Sequence, residues 1–235
     1  FNTQTINDRG QFSLDAIPAG DIFIEGEGYY FNEVTGEVSS SQLTLRAYHR
    51  LDENNATVVL NLLTQLSSER IRVLLEEGAA FVDAVEQSEV ELRETLGIGI
   101  PINELSPMVE LDLMGEPELG NAYLLAVSAV FIEAAITLAG DQGSVEGELQ
   151  QLVNTTTLDL ADGELDASTR ALFEAAETSL NPELVETNLA MRAMAVGLET
   201  PLPDLDTVLD QDHDDAANIA DNCTLIPNLD QLDAD

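Results

Sequence analysis

The chain has 235 residues, of which 44% are hydrophobic, and this is enough to bury one good core or two modest ones. It has 45 Asp and Glu residues but only eight basic residues, all of them arginine, so the formal net charge is -37. This charge argues against nucleic acids and anionic membrane surfaces as partners, and it predicts that folding depends on screening salt or on bound cations.

Residues 1–52 are expected to form a short antiparallel β-sheet. Three segments, GQFSL, DIFIEGEGYYF and SQLTLRAY, alternate apolar and polar residues with the period of a strand. Because a sheet of so few strands buries little surface, it must pack on the helical part, on a preceding segment or on another chain. The adjacent Tyr29, Tyr30 and Phe31 would point to both faces of their strand, so at least one lies on the side away from the core. We expect the helical bundle to cover that face, and a ligand platform there is the alternative.

Residues 53–199 are expected to form an α-helical bundle of five to six helices. A short apolar helix over about 57–66 is predicted first. A long amphipathic helix follows, with an apolar stripe from Ile71 to Val85 and with Ser67 or Ser68 as its N-cap. Further helices are predicted at 118–139, 144–161, 166–179 and 182–197.

The predicted helix at 118–139 is the most apolar part of the chain. Glu133 interrupts it, and no stretch reaches the roughly 18 consecutive apolar residues expected of a membrane span. We therefore interpret it as a buried core helix and predict no transmembrane segment.

From Thr200 onwards the sequence is rich in proline and aspartate, so residues 200–235 are predicted to be a linker and a coreless acidic tail. Calcium takes six to eight oxygen ligands, and a short loop supplies them from carboxylates at alternate positions. Oxygen-bearing side chains occupy positions 1, 3, 5, 9 and 12 of such a loop, at Asp210, Asp212, Asp214, Asn218 and Asp221.

The stretch DQDHDDAANIADNCTLIPNLDQLDAD resembles the opening of a thrombospondin type 3 repeat array, through its D-x-D-x-D start, its DNC, its PN and its DQ followed by D-x-D. Repeats of that family wrap calcium ions with almost no hydrophobic core. The resemblance implies that the five residues above hold one Ca2+ ion. It also implies that further sites begin at Asn228, Asp230, Asp233 and Asp235.

The tail departs from that family's pattern in two respects. His213 and Asp215 stand where the family usually has glycines, and the array ends before its next cysteine. In the family, the cysteine after DN pairs with a cysteine of a following repeat. Cys223, the only cysteine of this chain, has no such partner here, so we expect the natural protein to continue.

The stretch NDRGQFSLDAIPAGDIFIEGEGYYFNEVTGE is similar to the latter half of carboxypeptidase regulatory-like (transthyretin-like) β-sandwich modules of bacterial surface proteins. The similarity lies in the NDRGQFSL strand, the IPAG turn and the apolar strand that follows. It implies that residues 1–52 are part of a sandwich with an open sheet edge available for pairing.

No catalytic residue is predicted. His49 and His213 are the two histidines, and both are interpreted as surface residues. The nucleophile elbow, the P-loop, H-E-x-x-H and C-x-x-C do not occur. A carboxylate-pair hydrolase stays open as an alternative, with candidate residues Glu104, Glu110 and Asp112.

The sequence therefore predicts a non-enzymatic module for recognition, adhesion or assembly in a larger bacterial protein, with Ca2+ ordering its C-terminal stalk. Calcium repeats with disulfides indicate an extracellular or cell-surface location. The expected partner is a protein, a surface polymer or a second copy of the chain. The alternatives are a self-assembling structural subunit that pairs β-edges and an extracellular polysaccharide hydrolase.

Overall fold

The computed structural model of the chain describes residues 1–52, 56–96, 105–198, 202–203 and 205–209. An antiparallel sheet near the N-terminus is followed by six α-helices and a short helical turn, which confirms the predicted α+β class. The strands are β1 (Gly20–Gly28), β2 (Phe31–Asn32), β3 (Glu37–Val38) and β4 (Leu43–Leu51). The helices are α1 (Leu62–Glu76), α2 (Phe81–Thr95), α3 (Leu119–Ala139), α4 (Val145–Asp159), α5 (Ala167–Ser179), α6 (Pro182–Ala195) and α7 (Asp206–Leu209).

Strands β1 and β4 form a hairpin that is paired over its whole length, from Gly20 opposite Leu51 to Gly28 opposite Leu43. The side chains alternate between two faces, so Ile22 and Ile24 lie on the same face as His49 and Ala47. This face is the more buried one. On the other face Phe23 is half exposed and contacts Tyr48, which packs against α1 and α2.

The prediction of a β-strand at GQFSL is wrong, because no described strand pairs with this segment in a β-ladder. The chain turns there instead. The backbone N–H of Ile6 donates to the carbonyl oxygen of Gln11 at 2.6 Å, and Gly10 between them has φ +73, a left-handed conformation that glycine adopts without strain.

Helix α1 begins earlier than predicted and includes the two serines that were proposed as caps. Asn61 is its N-cap: Asn61 Oδ1 accepts the Thr64 N–H at 3.0 Å and Thr64 Oγ1 accepts the Asn61 N–H at 3.1 Å. Ser67 and Ser68 are buried inside the helix, where their hydroxyl groups donate to carbonyl oxygens three residues earlier. Both predicted helices of this region therefore contribute to α1.

The predicted long stripe from Ile71 to Val85 is divided between two helices. Gly78 has φ +98, so the chain leaves the helical conformation there and α2 begins at Phe81. Ile71 and Leu74 of α1 still pack against Ala84 of α2 in a small second cluster. The prediction of one long helix over this stripe is therefore wrong, because the chain turns between Glu76 and Phe81.

Helix α3 is the centre of the main core. By length and composition it is apolar enough to cross a membrane, but 61% of its most apolar window is buried inside the protein. It contacts α4, α5 and α7, and its buried residues include Tyr123, Leu125 and Phe131. An apolar helix surrounded in this way serves as a core helix of the described body.

The packed body extends to Leu209, beyond the point where the sequence predicted a linker. Leu205 and Val208 have no exposed surface, Leu209 is 7% exposed, and α7 lies against α3. The apolar periodicity of the sequence does not predict this short helix.

Arginine lies almost entirely within regular structure. Seven of the eight arginines are in β4, α1, α2, α5 and α6, and Arg9 is the exception. Arg70 joins two helices through a two-pronged contact with Glu91, in which Nε donates to Oε2 at 2.6 Å and Nη2 donates to Oε1 at 2.9 Å. On the hairpin, Arg46 of β4 pairs with Glu25 of β1.

Candidate functional site

A cavity of about 330 Å³ lies between the hairpin, helices α3, α4 and α6, and the segment before α3. This volume is within the range of about 300–1,000 Å³ that is typical of small-molecule sites. The lining is mostly apolar and includes Leu45, Leu124, Phe131, Ile132, Leu149 and Val153. Residues four apart on a helix share a face, which is why Leu149 and Val153 of α4 both reach the cavity.

Glu33 reaches this cavity from the turn between β2 and β3. Asn32 Oδ1 accepts the backbone N–H groups of Val34 and Thr35 at 3.1 and 2.9 Å, and Gly36 has φ +76. Asparagine and glycine at these positions close the turn locally. The turn directs Glu33 inwards, where the side chain is 1% exposed.

The carboxyl group of Glu33 is an uncommon group in an apolar wall. Burial raises its pKa to about 7, although hydrogen bonds from the Ser128 hydroxyl and from its own backbone N–H oppose the rise. Among the described residues, Glu33 Oε1 has no hydrogen-bond partner and no ion pair involves Glu33. A buried polar atom without a partner costs free energy, so this atom is a candidate contact for a ligand.

Tyr30 lines the same cavity and presents a second polar atom. Its Oη is buried and has no partner in the described part of the chain. Burial, together with the neighbouring carboxylates Glu146 and Glu33, raises the pKa of Tyr30 to about 12. The phenol is therefore neutral and able both to donate and to accept a hydrogen bond.

The N-terminal segment closes one side of the cavity. Arg9 donates from Nη2 to the carbonyl oxygens of Val196 at 3.0 Å and Gly197 at 3.2 Å, just past the end of α6. Arg192 of α6 donates in return to the carbonyl oxygen of Asp8 at 3.0 Å. Both guanidinium groups therefore hold the segment in place against the C-terminal end of α6, where cations are favoured.

A second, much smaller cavity of about 30 Å³ lies on another side of α3, between Phe131 and Phe173. Glu177 borders it, and burial together with the nearby Glu174 raises the pKa of this carboxyl to about 8. The space is enough for one or two water molecules and too small for a larger ligand.

The structure tests few of the residues that the sequence singled out. The predicted calcium ligands, Cys223, His213 and Glu104 lie outside the described residues. Within those residues, no group of three or more His, Cys, Asp or Glu side chains is placed to hold a metal ion.

His49, predicted to be a surface residue, is instead 3% exposed, because it lies on the inner face of β4. Its Nε2 has no hydrogen-bond partner among the described residues.

The two described hydrolase candidates are both exposed. Glu110 lies in a single turn of 3-10 helix over Met108–Glu110. Asp112 Oδ1 accepts the backbone N–H of Met114 at 2.9 Å, so this carboxylate closes a turn at the rim of the large cavity.

No family model matches the chain, and no curated protein or solved structure is significantly similar to it. The cavity and the sequence patterns are therefore the grounds for a functional proposal.

Proposed function

We propose that the chain is a non-enzymatic recognition module of a secreted or cell-surface protein, and that its body binds an apolar molecule or group in the cavity beside Glu33. The single observation that carries this proposal is the cavity itself, with its volume of about 330 Å³. An apolar lining with a few polar atoms is the usual composition of a ligand site.

Binding of the neutral apolar dye Nile red tests the proposal. We expect a saturable increase in the fluorescence of the dye in the presence of the intact chain. Leu45→Trp should weaken this binding about tenfold or more, because Leu45 lines the cavity and a larger side chain there occupies the space. The matched control is Leu158→Trp, because Leu158 is 64% exposed on α4.

Both variants also introduce the only tryptophan of the chain, so its emission reports the environment at each position. Far-UV circular dichroism verifies that each variant is folded. Dye binding that does not saturate, or that is equally strong in a folded Leu45→Trp variant, would overturn the proposal.

We further propose that Ca2+ orders the C-terminal stalk, in keeping with the extracellular setting. The supporting observation is the spacing of oxygen-bearing side chains from Asp210 to Asp221, which fits a calcium loop. Calcium binding to such a segment would be coupled to its folding, since clustered carboxylates repel one another until a cation neutralises them.

Calorimetric titration of Ca2+ into the intact chain tests this second part. Replacing Asp212 and Asp214 by asparagine should abolish the heat of binding at the first site. The matched control replaces two exposed aspartates of the body, Asp15 and Asp141, by asparagine. A shortened chain should end after Leu209, because Leu205, Val208 and Leu209 are buried. Equal calcium heats in all of these chains would refute the proposal.

A self-assembling subunit that pairs β-edges is a weaker candidate. The described sheet of β1 and β4 has two strands, so the outer edge of β1 carries no ladder partner there. Asp21 and Glu25 of that strand are already paired with Arg50 and Arg46 of β4, so the charge that opposes self-pairing is chiefly that of Glu27. A monomeric mass at moderate salt would remove this candidate.

A further inference from the structure

The chemistry of the cavity wall indicates which kind of apolar molecule would bind, and this inference rests on the proposed function. We propose that the cavity binds a primary ammonium group carried on an apolar body, with the Glu33 carboxylate as its counter-ion and Tyr30 Oη as a second acceptor. Glu33 and Tyr30 both line this cavity, and these two buried atoms have no partners among the described residues.

The carboxylate of Glu33 determines which kind of group the ligand must present. An ionised carboxylate only accepts hydrogen bonds, so the group that satisfies Glu33 Oε1 must be a donor. Its other contacts, from the Ser128 hydroxyl and its own backbone N–H, are neutral and leave the charge without compensation. A buried charge is tolerated when it is paired, so a cationic donor fits better than a neutral one.

The charge of the chain indicates the sign of the ligand charge. The chain carries a formal charge of -37, which attracts cations and repels anions over the whole surface. The two arginines near the cavity are already engaged by backbone carbonyl oxygens: Arg9 by those of Val196 and Gly197, Arg192 by that of Asp8. Carbonyl oxygens carry no net charge, so both guanidinium groups stay positive, but Asp8 and Asp112 line the cavity as well and an anionic head group would still meet the Glu33 carboxylate.

The acceptors and the apolar residues of the cavity wall indicate the shape of the cation. Tyr30 Oη offers a second acceptor in the same wall, and an ammonium group has three donors that point in different directions. The remaining wall is apolar, with Phe131, Leu149 and Val153 among its members. A ligand with one ammonium and a hydrocarbon chain or ring satisfies both parts of the site, whereas a polyamine would place further charges against apolar side chains.

Ionisation of Glu33 makes the affinity dependent on pH. Its pKa is raised to about 7 by burial, so the carboxylate is mostly protonated at about pH 6 and mostly charged at about pH 8. An alkylammonium stays charged across this range, as a lysine side chain does. The other titratable or charged groups that face the cavity or act on it are Asp8, Arg9, Tyr30, Asp112, Glu146 and Arg192.

Displacement of Nile red from the intact chain tests the inference, with n-octylammonium, n-octanol and octanoate as competitors. In about 0.15 M salt, where the Debye length is about 8 Å, we expect n-octylammonium at about pH 8 to compete at a concentration about tenfold or more below that of n-octanol. This advantage should shrink several-fold at about pH 6. Methylammonium, which has no apolar body, should not displace the dye.

Two variants link the effect to the named atoms. Glu33→Gln should remove the advantage of n-octylammonium and leave n-octanol within about threefold of its original affinity. Tyr30→Phe keeps the ring and should reduce the advantage several-fold. Glu183→Gln is the matched control, because Glu183 is an exposed glutamate on α6, and it should change nothing.

The outcomes separate the inference from the proposed function. Equal displacement by n-octanol and n-octylammonium, an advantage that survives in folded Glu33→Gln, or strongest competition by octanoate would overturn the ammonium inference while the apolar cavity site stands. Absence of saturable Nile red binding, together with absence of binding heat from n-octylammonium, would overturn both.

Discussion

Asn188 Nδ2 on α6 lies 2.9 Å from the backbone carbonyl oxygen of Glu33, and this hydrogen bond joins residues 155 positions apart. The same amide donates to the carbonyl oxygen of Val34 at 3.2 Å. The approach is close, since a Cβ added at Gly36 would lie 2.8 Å from Asn188 Oδ1. Asn188 therefore fastens the turn that carries Glu33 to the helical body.

Asn188→Ala should lower the free energy of unfolding by about 2–4 kcal/mol, because it leaves two carbonyl oxygens of the turn without their donor. It should also weaken Nile red binding, because the cavity wall loses its attachment to α6. Urea unfolding gives the first quantity and dye titration gives the second. Asn154→Ala, at an exposed position of α4, should change both little, and similar losses in the two variants would contradict the assigned role.

The buried carboxyl groups predict an unusual dependence of stability on pH. Glu33 has a pKa of about 7 in the folded chain against 4.5 for a free side chain. Between these values the folded state holds a proton that the unfolded state releases. Stability is therefore greatest below about pH 4.5 with respect to this group and falls as the pH rises through about 7. Glu177, with a pKa of about 8, acts in the same direction.

Glu33→Gln should therefore stabilise the chain at about pH 8 by up to roughly 3 kcal/mol and change it little at about pH 5. Unfolding in urea at several pH values, in enough salt to screen the surface, measures the effect. Carboxylates such as Glu69 and Glu91, whose pKa values are lowered by hydrogen bonds from Arg72 and Arg70, lose their contributions only at more acidic pH. A wild-type stability that rises from pH 5 to 8 in high salt would contradict this prediction.

The N-cap of α1 should be among the most sensitive polar positions. Besides capping the helix, Asn61 Nδ2 donates to the carbonyl oxygens of Met108 at 2.7 Å and Leu111 at 3.0 Å. Asn61→Ala should cost about 3–5 kcal/mol, which combines the loss of a cap with two buried carbonyl groups left without a donor.

A matched cap distinguishes these contributions. Ser144 caps the exposed start of α4 by accepting the Gly147 N–H at 3.1 Å, so Ser144→Ala should cost only about 1 kcal/mol. Asn61→Asp should retain the cap and still destabilise strongly, because it replaces the donor by an acceptor. Denaturant unfolding of the three variants measures the difference, and equal costs at Asn61 and Ser144 would refute the role of the carbonyl contacts.

The short helix α7 should contribute to the stability of the whole body. Leu205 has no exposed surface and belongs to the main core, so Leu205→Ala should cost about 2–5 kcal/mol. Leu158→Ala, at a position 64% exposed, should cost much less. Thermal or urea unfolding compares them. An unchanged midpoint in Leu205→Ala would mean that the core ends before α7.

Elements with strong local signals were predictable from the sequence. Helix α6 is an example, because Asn181 precedes Pro182 and its Oδ1 accepts the Leu184 N–H at 3.1 Å. Helix α3 was predictable from its length and apolar composition. The start of α1 was not, because Ser67 and Ser68 have the residue type of a cap, and only burial shows that they bond within the helix.

The cavity could not have been predicted from local patterns. Glu33 is one of 45 acidic residues. The surrounding sequence FNEVTG predicts a turn but does not indicate that the Glu33 side chain is buried. Its inward position depends on contacts with Ser128 and Asn188, which are distant in the chain. The calcium prediction has the opposite character, since it rests on local spacing alone and falls on residues 210–235, outside the described part of the chain.

The placement of arginine within strands and helices has a practical consequence for proteolysis. Trypsin cleaves after lysine and arginine, and this chain has no lysine, so eight arginines define every tryptic site. Seven of these lie in regular structure that must open before a protease can bind it, and Arg9 alone lies in a turn. Trypsin should therefore trim the folded chain first at the bond after Arg9. Digestion at the other seven sites then reports directly on the fraction of molecules that have opened.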